Sequence, residues 1–259
     1  LIERSWRARE PSLYGRFDLA WTGQGPPKLL EYNADTPTSI LETAVAQWRW
    51  KESVQPAADQ FNSLHEALVE RWRAIAVAAG IRHVHFAGLY ASLEDVGNLE
   101  YLLDTALQAG LDGELIDMTE IGLSADGAFL DLAGRPIEAC FKLYPWEWMV
   151  REQYAQALLA DRTTRWIEPA WKMLLSNKAL LPLLWQRHRG HPNLLPASFR
   201  QADVAHVPHL SKPRLSREGA NVTIWDGGAP VFATPGDYAG EGLVWQALAP
   251  LAMFPQAGG

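Results

Sequence analysis

Two short arms near the start of this chain carry its first recognisable chemistry. They are Arg16-Phe17-Asp18-Leu19-Ala20-Trp21 and Lys28-Leu29-Leu30-Glu31-Tyr32-Asn33. Both alternate polar and apolar residues with period two, and the Gly/Pro-rich stretch from Thr22 to Pro27 between them reads as a hairpin turn. Closing the hairpin symmetrically sets Asp18 opposite Glu31 and Arg16 opposite Asn33. Residues two apart on a strand share a face, so these four polar groups project together. Two carboxylates placed directly opposite one another are destabilising unless something neutralises them. A hard divalent cation with oxygen ligands, such as Mg²⁺, is a natural partner, and Arg16 beside it suits an anion that the metal also touches. A salt-bridged surface hairpin answers the same pattern.

Two lysines extend the theme. Lys212 leads into Ser211-Lys212-Pro213-Arg214-Leu215-Ser216-Arg217-Glu218-Gly219-Ala220-Asn221-Val222, where a strand is followed by a small-residue turn centred on Gly219. Such a loop lets backbone N–H groups approach phosphate oxygens while the lysine adds a point charge. The G-x-x-x-x-G-K spacing of a Walker A loop is absent, and an ordinary hairpin with an outward-reaching lysine fits equally. Lys178 sits in Ser176-Asn177-Lys178-Ala179-Leu180-Leu181-Pro182, expected to be part of an apolar helix. Desolvating an ammonium there is costly unless it is paired or points at a ligand. A solvated helix face is the plain alternative.

Other candidates carry less. His83 and His85 share a strand face, one step towards a metal pair, but no third ligand lies nearby in sequence, so a packed histidine pair is expected. His188 and His191 read as a solvated turn. No Ser-His-Asp or Cys-His arrangement is visible.

The elements that must position these groups are those of a globular domain. The 259 residues can bury a sizeable core, with 48% hydrophobic and 20% charged residues. A net charge of −7 without a basic run argues against a nucleic-acid partner. A single cysteine, Cys140, rules out an internal disulfide framework and suits a reducing compartment. The sequence contains no apolar run of about 18 residues and no signal peptide, so no membrane partner and a cytoplasmic location are expected. Twelve tryptophans fit core packing.

Helices are expected over 40–51, behind the hydroxyl-rich Thr36-Pro37-Thr38-Ser39, and over 60–79, ending at Gly80. Further helices are expected over 98–109, 146–160 and 169–188. Strands are expected over 83–89, 114–118 and 138–143, an alternation suggesting an α/β unit, and in the tail over 206–212, 222–225, 231–233 and 242–248. The chain starts at Leu1 and ends at Phe254-Pro255-Gln256-Ala257-Gly258-Gly259, and both ends read as cut.

Taken together the motifs resemble the synthetase domain of the glutathionylspermidine synthase family. The stretches that carry the resemblance are Gly15 to Trp21, Leu30 to Ser39, Phe141-Lys142-Leu143-Tyr144-Pro145-Trp146-Glu147-Trp148, Ile167-Glu168-Pro169-Ala170-Trp171-Lys172, Ser176 to Pro182, Lys212-Pro213 and Arg217 to Val222. They occur in family order over essentially the whole chain, which is most similar to the stand-alone acid–amine ligase-like members. The resemblance implies a mixed α/β (α+β) fold of ATP-grasp type in permuted order, with mixed and antiparallel sheets flanked by helices and a lid subdomain. It also implies approximate subdomains: 1–80 with the metal-site hairpin, 81–145 on the substrate side, and 146–259 with the ATP-binding helices and lid strands.

The implied activity is ATP- and Mg²⁺-dependent joining of a small-molecule or peptide carboxylate to a polyamine-like or amino-acid amine through an acyl phosphate. Residue by residue, Asp18, Glu31 and Asn33 resemble the Mg²⁺ ligands, and Arg16 the arginine on the transferred phosphoryl group. Lys178 and Lys212 resemble the nucleotide-phosphate lysines, Arg217, Glu218, Gly219, Ala220 and Asn221 the lid loop, and Gln246 the adenine hinge. Thr36 and Thr38 match the acid-substrate site, and Glu94 and Asp95 the amine side. Phosphoryl transfer needs positioning and charge neutralisation more than a protein nucleophile. The resemblance also implies further sequence at both ends, and Cys140 lies outside the context of the catalytic cysteine in the amidase domain of bifunctional members. Two other functions stay open: a nucleotide-binding module without turnover, and a kinase that phosphorylates an acid without forming an amide.

Overall fold

A computed structural model describes residues 1–252 except Phe61 and Ala239; the C-terminal stretch from Phe254 lies outside the described residues. The chain opens with α1 (Ile2–Arg7), followed by the hairpin strands β1 (Arg16–Ala20) and β2 (Lys28–Asn33). A π-helical turn, Glu42–Ala46, continues into α2 (Gln47–Val54), and α3 (Leu64–Ala79) follows. Then come β3 (His83–Gly88), α4 (Leu93–Gln108), β4 (Asp112–Asp117), the short strands β5 (Gly122–Leu123) and β6 (Phe129–Leu130), and β7 (Ala139–Lys142). The next elements are α5 (Trp146–Met149), α6 (Ala155–Ala160), β8 (Arg165–Ile167), α7 (Met173–Ser176) and α8 (Leu180–Arg187). The chain closes with β9 (Ala197–Ser198), β10 (His209–Pro213), β11 (Thr223–Asp226), β12 (Ala229–Ala233) and β13 (Leu243–Ala247).

Two compact units result: Leu1–Gly15 with Ala34–Met173, and Arg16–Asn33 with Leu174–Gly259. The hairpin, placed with residues 1–80 by the sequence reading, clusters instead with the C-terminal part. The reason is visible in its hydrogen bonds: Leu29 N donates to Asn193 O at 2.8 Å, and Asn193 Nδ2 donates to Pro27 O at 2.9 Å. Leu29 also packs with Leu181 and Ala197, and Ala20 with Leu195 and Ala247. Burying one leucine side chain stabilises by ~1.5–3 kcal/mol, so these few contacts suffice to anchor a two-stranded ribbon that would be marginal alone.

In the first unit a parallel four-stranded sheet has the order β4-β3-β7-β8. The stripe Leu68, Trp72 and Ile75 on α3 and Leu99, Leu102 and Ala106 on α4 pack with Val84 and Phe86 of β3 and Phe141 of β7. Ala87 and Cys140 serve a second cluster with Trp146 and Trp166. Every residue of β7 is buried, as expected for a strand covered on both faces. Burial pushes the Cys140 thiol up to about 12, so it stays protonated and inert at neutral pH. Among the described residues no helix is long and apolar enough to cross a membrane.

The second unit holds the hairpin and an antiparallel five-stranded sheet of order β12-β11-β10-β13-β9. The fold is thus mixed α/β with both parallel and antiparallel sheets.

Several boundaries differ from the sequence expectation. The helix expected from Asn98 begins at Leu93, because Ser92 Oγ accepts from Asp95 N at 3.2 Å and caps it. The helix expected from Gln60 begins at Leu64. The helix expected over 146–160 is two short helices, and the strand expected from His206 begins at His209, just past Pro208. The helix expected over 169–188 is broken at Lys178. There Lys178 N donates to Arg214 O at 2.9 Å, and Asn177 Oδ1 caps the next segment by accepting from Ala179 N at 2.9 Å.

Candidate functional site

The hairpin register is the one expected: Arg16 pairs with Asn33 and Asp18 with Glu31. Between Asp18 and Leu19 the register slips, because Leu19 pairs with Leu29 and leaves Leu30 as the extra residue of a β-bulge. Asp18 is gripped through both oxygens by Arg16, Nε to Oδ1 at 2.8 Å and the guanidinium Nη2 to Oδ2 at 3.3 Å, and Asn33 Nδ2 donates to Oδ2 at 3.2 Å. Lys178 Nζ lies 3.1 Å from Glu31 Oε2 and donates to Ser216 O. The facing carboxylates are therefore neutralised by protein cations. Arg16 and Asp18 are each about one-third exposed, so their pair contributes at most ~1 kcal/mol and can exchange for another cation or anion.

Lys212 completes the cluster from β10. Lys212 is 6% exposed, and its ammonium donates to Leu30 O at 2.8 Å, the carbonyl of the bulged residue. Burial lowers its pKa to about 8, with Lys178 adding to the shift and Glu31 and Asp18 opposing it. Burial tends to raise the Glu31 carboxyl, but Lys178 and Lys212 outweigh it and hold the group below its ordinary value. The ammonium is nearly buried and has a single described hydrogen bond, which leaves it capacity for a further acceptor.

Gln246 lies on β13, opposite Leu210 of β10 and Ala197 of β9. The residue is 1% exposed, and its Nε2 donates to Leu29 O at 3.1 Å, which fixes the orientation of the amide. Oε1 then has no hydrogen-bond partner among the described residues. A buried acceptor left open costs about 1–3 kcal/mol, and a donor edge such as an exocyclic amine would satisfy it.

The loop 217–221 joins β10 to β11. Glu218, Gly219 and Asn221 all have positive φ, at 52°, 69° and 56°. Asn221 locks the loop to the segment after β12: its Nδ2 donates to Gly236 O and its Oδ1 accepts from Tyr238 N, both at 2.9 Å. Gly236 is required there, because a Cβ would meet Asn221 Oδ1 at 2.5 Å and Ala220 Cβ at 2.7 Å.

Arg16, Asp18, Glu31, Asn33, Lys178, Lys212, the 217–221 loop and Gln246 thus all belong to the second unit. The four remaining sequence candidates belong to the first. Thr36 and Thr38 flank buried Pro37 in the segment before the Ile40 helix, half-buried, while Glu94 and Asp95 form the first turn of α4. One residue that sequence reasoning missed ties these two places together. Asn98 is buried; its Oδ1 accepts from Ile40 N at 3.1 Å and its Nδ2 donates to Glu94 O at 2.7 Å. An asparagine on the inner face of a helix was the available signal.

Two family stretches also gain a physical account. Lys142 pairs with Asp35 at 2.5 Å, both fully buried, and Asp35 Oδ2 accepts from Trp146 N at 2.8 Å. Glu168 accepts from the Leu13 and Tyr14 N–H groups at 2.9 Å each and pairs with Lys172 at 2.6 Å. These charges hold loops of the first unit together.

The family model described as glutathionylspermidine synthase preATP-grasp matches residues 1–258. A protein of Haemophilus influenzae, provisionally named an acid–amine ligase, is 43% identical over 98% of this chain and 67% of its own length. Trypanothione synthetase of Crithidia fasciculata is 30% identical over 95% of this chain and 42% of its own length. The bifunctional glutathionylspermidine synthetase/amidase of Escherichia coli is 26% identical over 95% of this chain and 44% of its own length. The chain thus spans from two-fifths to two-thirds of these relatives. A solved structure provisionally named a gamma-glutamylcysteine synthetase, from Methylobacillus flagellatus KT, shares the fold with a TM-score of 0.58 at 10% identity, covering 95% of this chain and 70% of that one. With a family model spanning nearly every residue and a relative at 43% identity, the chain belongs to the glutathionylspermidine synthase family.

Proposed function

We propose that this chain carries the nucleotide and metal site of an ATP-dependent carboxylate–amine ligase with an ATP-grasp arrangement. The observation that carries the reading is the gathering, in one compact unit, of the facing carboxylates Asp18 and Glu31 with the ammonium groups of Lys178 and Lys212. The donor set is all oxygen, from two carboxylates and the Asn33 amide, which suits Mg²⁺. When bound there, the ion would neutralise phosphate charge. Lys178 and Lys212 would hold phosphate oxygens as point charges, and Arg16 would release Asp18 to orient the transferred phosphoryl group. The 217–221 loop would cover the phosphates, and Gln246 Oε1 would accept from the adenine amine.

The chemistry that follows is phosphorylation of a carboxylate, attack by an amine on the acyl phosphate, and release of ADP and phosphate. Thr36 and Thr38 offer hydroxyls to an acid substrate, and Glu94 and Asp95 offer carboxylates to a cationic amine. The relatives' names support a peptide-like acid and a polyamine-like or amino-acid amine.

Calorimetric titration with a non-hydrolysable ATP analogue, with and without Mg²⁺, tests the reading. Mg²⁺-dependent binding that Lys212→Ala weakens at least about tenfold, or ~1.4 kcal/mol, is expected. Absence of binding by folded protein would overturn it. ADP release coupled to amine consumption then distinguishes a ligase from a kinase acting on the acid.

A further inference from the structure

The histidine pair of β3 acquires the third ligand that the sequence did not show. β3 and β4 run parallel, and their register sets His85 beside Glu114. His83 Nε2 and His85 Nε2 each lie 3.2 Å from Glu114 Oε1, and His85 Nε2 lies 3.5 Å from Asp131 Oδ2. One ligand atom from each of His83, His85 and Glu114 falls within 4.8 Å of the others. The His85 and Asp131 side chains are each 4% exposed. Yet His83 Nε2 and both ring nitrogens of His85 make no well-aligned hydrogen bond among the described residues, so these short approaches leave the imidazoles poorly satisfied. Buried imidazoles are ordinarily satisfied.

A tetrahedral ion with bonds of about 2.1 Å separates its ligand atoms by about 3.4 Å. Three of the six separations among these four groups, at 3.2, 3.2 and 3.5 Å, are close to such edges. Since the ligand atoms of His83, His85 and Glu114 spread over up to 4.8 Å, ligation would draw the two imidazoles together. We propose that His83, His85, Glu114 and Asp131 form a binding site for a divalent transition-metal ion of Zn²⁺ type. Two imidazole nitrogens with two carboxylates suit Zn²⁺ rather than Mg²⁺ or Ca²⁺, which prefer oxygen. The ion would cross-link β3, β4 and the turn after β6.

Arg135 explains how the carboxylates stand together without it. Its Nε donates to Asp131 Oδ2 at 2.7 Å and its guanidinium also holds Glu114 Oε1, the same two oxygens that face the histidines. The Arg135 side chain is 58% exposed, so it can swing into solvent when a metal arrives. The guanidinium is a stand-in cation. All five residues lie in the first unit, and the site is independent of the nucleotide reading.

The test is titration of chelator-treated protein with Zn²⁺ against a chromogenic competitor, and with Co²⁺ read by its visible ligand-field absorption. Wild type should bind one equivalent of each, with a tetrahedral Co²⁺ spectrum and a Zn²⁺-dependent rise in melting temperature. His83→Gln and Glu114→Gln, at half-exposed positions that tolerate substitution, should each weaken Zn²⁺ at least about tenfold and abolish the melting shift. Arg135→Gln should tighten it. Substoichiometric binding, or affinity unchanged in His83→Gln and Glu114→Gln, would overturn the site. Weaker binding by Arg135→Gln would overturn the stand-in role.

Discussion

Glu31 sits directly opposite Asp18 across the hairpin and is ion-paired to Lys178 at 3.1 Å, so the carboxylate that a metal ion would claim is the one the lysine now holds. In the proposed site a metal ion and Lys178 would therefore compete for Glu31 until a phosphate took the ammonium.

That competition predicts opposite effects with and without metal. In Glu31→Gln and Asp18→Asn the negative charge facing the nucleotide falls. Binding of the ATP analogue without Mg²⁺ should be unchanged or tighter, while the Mg²⁺ enhancement should shrink at least about tenfold. Parallel calorimetric titrations check this, and an intact Mg²⁺ enhancement in both variants would remove the hairpin from the metal site.

Lys212 predicts a proton linkage. Its value of about 8 lies below the ordinary lysine value of 10.5, and a bound polyphosphate would raise it again. Binding should therefore take up protons, and affinity should fall as pH rises through about 8. At pH 8 the free protein holds about half a proton on this group, so uptake approaches about 0.5 per nucleotide. Titrations in two buffers of different ionisation enthalpy measure it, and Lys212→Met should abolish it.

Gly236→Ala probes the loop without touching a charged group. The added Cβ would meet Asn221 Oδ1 at 2.5 Å, and relieving such overpacking costs about 1–3 kcal/mol. Because the strain falls on an exposed loop, the melting temperature should fall by only a few degrees, roughly 2–4 °C per kcal/mol, while analogue affinity drops several-fold. Unchanged affinity would show that the loop does not close over the nucleotide.

Lys142→Met should destabilise the first unit by about 3–5 kcal/mol in urea unfolding, because it strands Asp35 as a buried charge. The double variant with Asp35→Asn should recover part of the loss.

The hairpin was legible because a two-residue period and a Gly/Pro turn fix which side chains face each other. Its facing pairs Arg16–Asn33 and Asp18–Glu31 follow from that pattern alone, while the alternation of strand and helix showed three of the four parallel strands of the first unit and missed the three-residue β8. The bulge at Leu30 was not legible, since an extra residue in one arm leaves the alternation around Asp18 and Glu31 intact. Lys178 was misplaced in a helix because the backbone acceptor that draws its N–H away, Arg214 O, is 36 residues distant. Glu114 was invisible as a partner for His83 and His85 for the same reason: parallel strands bring together residues that the intervening helix separates in sequence. Asn98 shows a subtler limit, a polar residue whose acceptor serves a different segment of chain.

The bulge also decides which changes this stretch can absorb. Without Leu30 the two arms would form a regular ladder with the same facing pairs, so the ribbon itself has no need of the residue. Lys212 does, because it is steadied by an oxygen of the peptide backbone at that position, not by a side chain. The arm from 28 to 33 should therefore accept other apolar residues at position 30 but not a shorter chain. An alteration that tidied the strand would leave the ammonium without its anchor.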